Sequence, residues 1–127
     1  MSALRAELKD QDVNVRRSAA LTLALMKQKA KEAVPDLMAA LKDQDVSVRR
    51  AAAGALRSIG PEAKEAVPAL IATLKDQDAD VRGTAAAALG VIGPEAEEAV
   101  TDLRAALKDR SVVVRQAAAA ALRKIRP

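Results

Sequence analysis

Apolar residues recur along the chain in two alternating patterns, both with helical spacing. Val67, Leu70, Ile71 and Leu74 fall at i, i+3, i+4 and i+7, which puts them on one stripe of a short helix, called A. Val34, Leu37, Met38 and Leu41 repeat that stripe one copy earlier. After a polar turn, Val48, Ala52, Ala55, Leu56 and Ile59 make the stripe of a second helix, B, which Val81, Ala85, Ala88, Leu89 and Ile92 reproduce. The string Leu-Lys-Asp-Gln-Asp between A and B begins at Leu8, Leu41 and Leu74, and a worn copy, Leu107-Lys108-Asp109-Arg110-Ser111, begins one period later. Pro35–Val67 and Pro68–Val100 agree at 22 of 33 aligned positions. One such hairpin has more apolar surface than it can bury alone. The pattern therefore predicts a stacked array, a single repeat domain over 1–127 with copies at approximately 2–28, 31–61, 64–94 and 97–127.

Punctuation agrees with this reading. Asp12, Asp45, Asp78 and Ser111 stand just before helix B, where a side-chain oxygen can accept from an unpaired amide of the first turn. Gly60-Pro61 and Gly93-Pro94 end helix B, glycine by turning through positive φ and proline by breaking the ladder. Pro35 and Pro68 predict that helix A starts at them or bends there. Lys27-Gln28 stands in place of Gly-Pro in the first copy and blurs that boundary.

A helical hairpin of this length could be an ankyrin or tetratricopeptide repeat, but the Thr-Pro-Leu-His and aromatic positions of those families are absent. The runs Leu41-Lys42-Asp43-Gln44-Asp45-Val46-Ser47-Val48-Arg49-Arg50-Ala51-Ala52 and Ile59-Gly60-Pro61-Glu62-Ala63-Lys64-Glu65-Ala66-Val67-Pro68 resemble HEAT repeats. The likeness is to the short class first named for phycobilisome lyases. It implies an all-α fold, an α-solenoid of four HEAT-like hairpins with B helices lining a concave face. It also implies an Asp–Arg ladder along the stack, matched here by Asp12, Asp45 and Asp78 and by Arg16, Arg49, Arg82 and Arg115, with Ser111 and Arg110 breaking the acidic pattern in the last copy. The helical wheel independently puts Arg49 on the flank that faces an adjacent hairpin.

Composition narrows the chemistry. The chain is 50% apolar and 30% charged, with no Cys, His, Phe, Tyr or Trp. Disulfides, thiolate metal sites, cysteine nucleophiles and the usual general base are thereby excluded. Asp76-Gln77-Asp78-Ala79-Asp80 imitates a calcium loop, but Val81 stands where the sharp turn needs glycine and Ala87 where the bidentate glutamate belongs. There is no glycine-rich phosphate loop and no nucleophile–base spacing. Without aromatics to stack on bases, nucleic acid is disfavoured as a partner. No apolar run approaches a membrane span and the first residues do not read as a signal peptide, so the cytoplasm is the default compartment. The net charge of +4 names no partner. It is uneven: residues 1–34 hold seven basic and four acidic side chains, 68–100 two and six, and 101–127 seven and two. Basic ends around an acidic centre, with Leu122 and Ile125 closing the last copy without a polar cap, leave a monomer or weak end-to-end self-association as the expected states.

Opposite the core stripe of helix B, the wheel predicts an exposed surface that varies between copies. Its candidate partner-binding residues are Arg17 and Leu21, Arg50 and Arg57, Gly83 and Gly90, and Gln116 and Arg123. Arginines around a shallow glycine floor suit an acidic or extended peptide, against the commoner case of a solvated face tolerating drift. Leu21 and Leu25 lie outside the repeating stripe and are expected to pack within the first copy, with anchoring of a partner helix as the alternative. Arg5 and Arg104 replace Met38 and Ile71 and read as polar end-capping. The function expected is a non-catalytic protein-interaction scaffold without cofactor. The absence of aromatics raises a first alternative, a designed, consensus-like or excised repeat array with no natural ligand. An accessory, lyase-like or chaperone subunit of an enzyme is the second.

Overall fold

The computed structural model describes residues Met1–Pro127, all in helices and the turns between them. Four hairpins follow one another: α1 (Ser2–Glu7) with α2 (Val13–Met26), α3 (Val34–Ala40) with α4 (Val46–Ile59), α5 (Val67–Thr73) with α6 (Ala79–Ile92), and α7 (Val100–Ala106) with α8 (Val112–Ile125). The first member of each is an A helix and the second a B helix. Tight 3₁₀ segments, Lys27–Ala33, Gly60–Ala66 and Gly93–Ala99, carry the chain from one hairpin to the next.

Each B helix starts where its cap dictates. Asp12 accepts from the amide of Asn14, Asp45 from that of Ser47, and Asp78 from that of Val81. Ser111 has the same extended backbone but its hydroxyl makes no capping bond, which leaves α8 the least anchored at its start. The helices stop at Gly60 (φ 75°) and Gly93 (φ 79°), and Lys27 makes the same turn at φ 53°. The boundary that Lys27-Gln28 blurs in the sequence is therefore geometrically the same as the others, at the cost of a Cβ held in a region that favours glycine. Pro35 and Pro68 lie in the first turn of α3 and α5, where a missing amide hydrogen costs nothing.

The B helices stack directly on one another, α2 on α4, α4 on α6 and α6 on α8, while each A helix packs mainly on its own B helix. This arrangement produces one continuous core instead of four small ones. Leu23, Leu37, Leu56, Leu70, Leu89 and Leu103 are completely buried in it, at about 1.5–3 kcal/mol of transfer free energy for each side chain. No buried side-chain polar atom lacks a partner, and Thr73, the one buried polar residue, donates to the Ala69 carbonyl at 2.7 Å.

Two sequence expectations are corrected by this packing. Gly83 and Gly90 are buried, not exposed on an open floor, because α8 lies against them. A Cβ on Gly90 would stand 2.9 Å from the Cα of Ala121, and one on Gly83 would meet Val113 at 3.3 Å. Leu21 and Leu25 do not pack within the first hairpin, since they are 51% and 82% exposed.

Candidate interaction surface along the stacked B helices

The arginine ladder exists, but with the other aspartate of each turn. Arg16 Nε donates to Asp43 at 2.7 Å, Arg49 Nε to Asp76 at 2.9 Å and Arg82 Nε to Asp109 at 2.9 Å. A second donor of each, Nη2, reaches the remaining oxygen of the same carboxylate at 3.2, 3.4 and 2.9 Å. Each rung therefore ties a B helix to the turn of the following hairpin by a two-pronged contact. Asp12, Asp45 and Asp78, the ladder acids expected from the resemblance, are instead helix caps. The reason is reach. Asp43, Asp76 and Asp109, which begin their turns, face the ladder arginine of the previous hairpin, whereas Asp12, Asp45 and Asp78 lie above the amides of their own helices, Asp78 also reaching Arg50.

Every rung is anchored twice more. The arginine Nη1 donates to the carbonyls of its own turn, as Arg49 does to Asp43 at 3.0 Å and Gln44 at 3.2 Å. The aspartate in turn accepts the amide two residues on, at 2.9 Å for Asp43, Asp76 and Asp109. The Arg82 guanidinium, followed by the Ser111 amide, holds the Asp109 carboxyl below the usual carboxylate range. Ser111 and Arg110 do not break the last rung, because Asp109 is the acid in use. Arg115 makes only the carbonyl bonds, to Asp109 and Arg110.

Of the residues expected to bind a partner, Arg50 is committed elsewhere. It donates to both oxygens of Asp78 at 3.1 and 2.9 Å and lies 3.7 Å from Asp80. Asp78 thus serves as both cap and ion-pair partner, and Arg50 first, then the Val81 amide, pull its carboxyl down to about 2. Arg17 is half-buried and donates to Asn14 at 2.9 Å. Arg57, Gln116 and Arg123 are exposed.

A cavity of about 400 Å³ opens along α6 and α8 on this face, and its lining gathers Arg57, Gly83, Gly90 and Gln116 from the predicted set. Sequence reasoning missed its other polar members, Asp80, Thr84 and Lys124. Lys124 precedes the last core residue of α8, Ile125, and only the packing of α8 against α6 brings it to the same cavity as Arg57. Leu21 and Arg17, on α2, and Arg123 do not line this cavity. The lining is mostly small side chains, with Gly83 and Gly90 buried behind it, and the cations Arg57 and Lys124 have no carboxylate partner, whereas Asp80 sits near Arg50. The cavity can thus accept a small apolar group together with a negative charge. No group of His, Cys, Asp and Glu is placed to hold a metal ion, and no helix is long and apolar enough to cross a membrane.

Helical hairpins stacked in register about one shared core define an α-solenoid repeat protein. The chain belongs to the family of HEAT repeats, which matches residues 1–71 and 67–127. Among solved structures it is similar to an engineered protein, with 30% identity and a TM-score of 0.82 over 96% of this chain and 60% of that one. It is also similar to the complex of CpcE and CpcF of phycocyanin lyase from Nostoc sp., with 25% identity and a TM-score of 0.68 over 98% of this chain and 64% of that one. A designed armadillo repeat protein in complex with the peptide (KR)4 shares the fold, at 21% identity and a TM-score of 0.84 over 98% of this chain and 63% of that one. The chain spans about three-fifths of the length of these matched chains. No curated protein matches it.

Proposed function

We propose that the chain is a non-catalytic scaffold that binds an acidic segment of a partner protein along its B-helix face. The observation that carries this reading is the cavity along α6 and α8, lined by small residues and by Arg57 and Lys124, neither of which pairs with a carboxylate, while its one acid, Asp80, lies near Arg50. A buried or committed cation would offer a ligand little, whereas these two remain available for a charge-assisted bond. The B helices touch along the stack while the A helices meet mainly their own partners, and grooves of about 110 and 150 Å³ lie between neighbouring A helices. Closer spacing in the B layer supports a concave B face, a shape suited to an extended peptide. The lyase complex and the peptide-bound designed protein among the structural neighbours are consistent with protein partners.

The test is an array of extended peptides, each carrying one aspartate or glutamate among small apolar residues, bound to the immobilised chain. Peptides that bind should lose at least roughly tenfold in affinity on Arg57→Glu with Lys124→Glu, and keep it on Arg104→Glu on the A side. Equal binding by both variants would remove the proposal. The similarity to an engineered protein favours a second reading, a regularised array without a natural ligand. That reading predicts no peptide whose binding depends on Arg57 and Lys124.

A further inference from the structure

The array presents two unlike end faces, and each carries half of a joint. Leu8, Leu41 and Leu74 are 4%, 5% and 7% exposed beneath the following hairpin, but Leu107, their counterpart after α7, is 39% exposed. Leu122 is half-buried where Leu56 and Leu89 are completely covered. On this same face Arg115 begins a rung as the other arginines do, with Nη1 on the carbonyls of Asp109 at 2.7 Å and Arg110 at 3.1 Å. Its Nε and Nη2, which in Arg16, Arg49 and Arg82 hold a carboxylate, hold none.

The opposite face supplies the complement. Asp10 accepts the amide of Asp12 at 2.8 Å, the bond that also orients Asp43, Asp76 and Asp109 for their arginines. No arginine hydrogen-bonds to the Asp10 carboxylate. Leu4, Val15 and Met26 are half-buried at the positions where Leu37, Val48 and Ile59 are sealed by packing in the next hairpin. Ser18 and Thr22 replace the buried Ala51 and Ala55 on this face, and remain small.

We propose that the chain associates end to end with a second copy of itself. Arg115 of one molecule pairs with Asp10 of the next, and Leu107 and Leu122 close over Leu4, Val15 and Met26. Both terminal hairpins are net basic, which opposes the contact, so the association is weak and emerges at high concentration. The joint is heterologous, so it extends the stack in place of forming a symmetric dimer. This inference is independent of any ligand on the B-helix face.

Sedimentation velocity of the 127-residue chain, carried to millimolar concentration at physiological salt, tests it. The expected result is a mass that rises with concentration and a frictional ratio that rises with it. Arg115→Asp alone and Asp10→Arg alone should each stay monomeric, with helicity by circular dichroism unchanged, because like charges then meet at every joint. An equimolar mixture of the two variants should associate again, because each joint between unlike molecules regains opposite charges. A wild-type chain that remains monomeric throughout, single variants that associate as the wild type does, or a mixture that stays monomeric would each overturn the proposal. Association that survives both charge reversals but is lost on Leu25→Ser would place the contact on α2 and overturn it as well.

Discussion

Two glycines and a lysine show how far residue type alone decides a local outcome. Gly54 has nothing within 4 Å of where its Cβ would be, while Gly90 would drive one into Ala121. Gly54→Ala should therefore stabilise the chain by about 0.5–1 kcal/mol, the usual helix-interior difference, and Gly90→Ala should cost about 1–3 kcal/mol by forcing α6 from α8. Opposite shifts of the urea midpoint at constant slope would establish this. Lys27, at φ 53° where the later copies have glycine, should gain about 1 kcal/mol on Lys27→Gly, visible as a raised Tm. The sequence shows all three residues, and the repeat alignment singles out Lys27. It cannot tell Gly54 from Gly90, because both sit opposite the core stripe on a wheel. The difference is the neighbouring helix, which a wheel omits.

At the scale of the element, the B helices are specified by their caps and the hairpins by their rungs. Arg82 is the most enclosed of the three paired ladder arginines and holds Asp109 at 2.9 Å through both contacts. Arg82→Ala should destabilise by about 1–3 kcal/mol, and Asp109→Asn by a smaller amount because it keeps the bond to the Ser111 amide. The carboxyls of Asp45, Asp78 and Asp109 are all held below their ordinary range, that of Asp78 at about 2. A depressed folded value means that these groups contribute stability above the unfolded carboxylate range and lose it as the pH falls toward the folded value. Stability should accordingly be flat from pH 5 to 8, in a chain without histidine, and decline from the ordinary carboxylate range down to about 2. Melts of the wild type and of Asp78→Asn across that range would show a shallower acid decline in the variant. The arginines of the ladder were legible from the repeat; the choice between its two aspartates was not. That choice depends on the offset between successive hairpins, a tertiary quantity.

For the whole molecule, a core shared between neighbours predicts a graded stability. Hydrogen exchange should be slowest in α4 and α6, each flanked by a B helix on both sides, and faster in α1 and α8. Uniform protection along the array would contradict nearest-neighbour coupling. The all-α solenoid and its hairpin count were determined by the sequence alone, because an apolar stripe at helical spacing recurs in every copy, with glycine stops in the two central ones. The tertiary structure alone decided which surface remains open. A B helix sandwiched between two others is buried over a wider arc than one stripe suggests, so Gly83 and Gly90 are buried against α8, Arg50 is taken up by Asp78, and Lys124 lines the same cavity as Arg57. Those outcomes depend on the distance and rotation between adjacent hairpins, which no single copy of the repeat encodes.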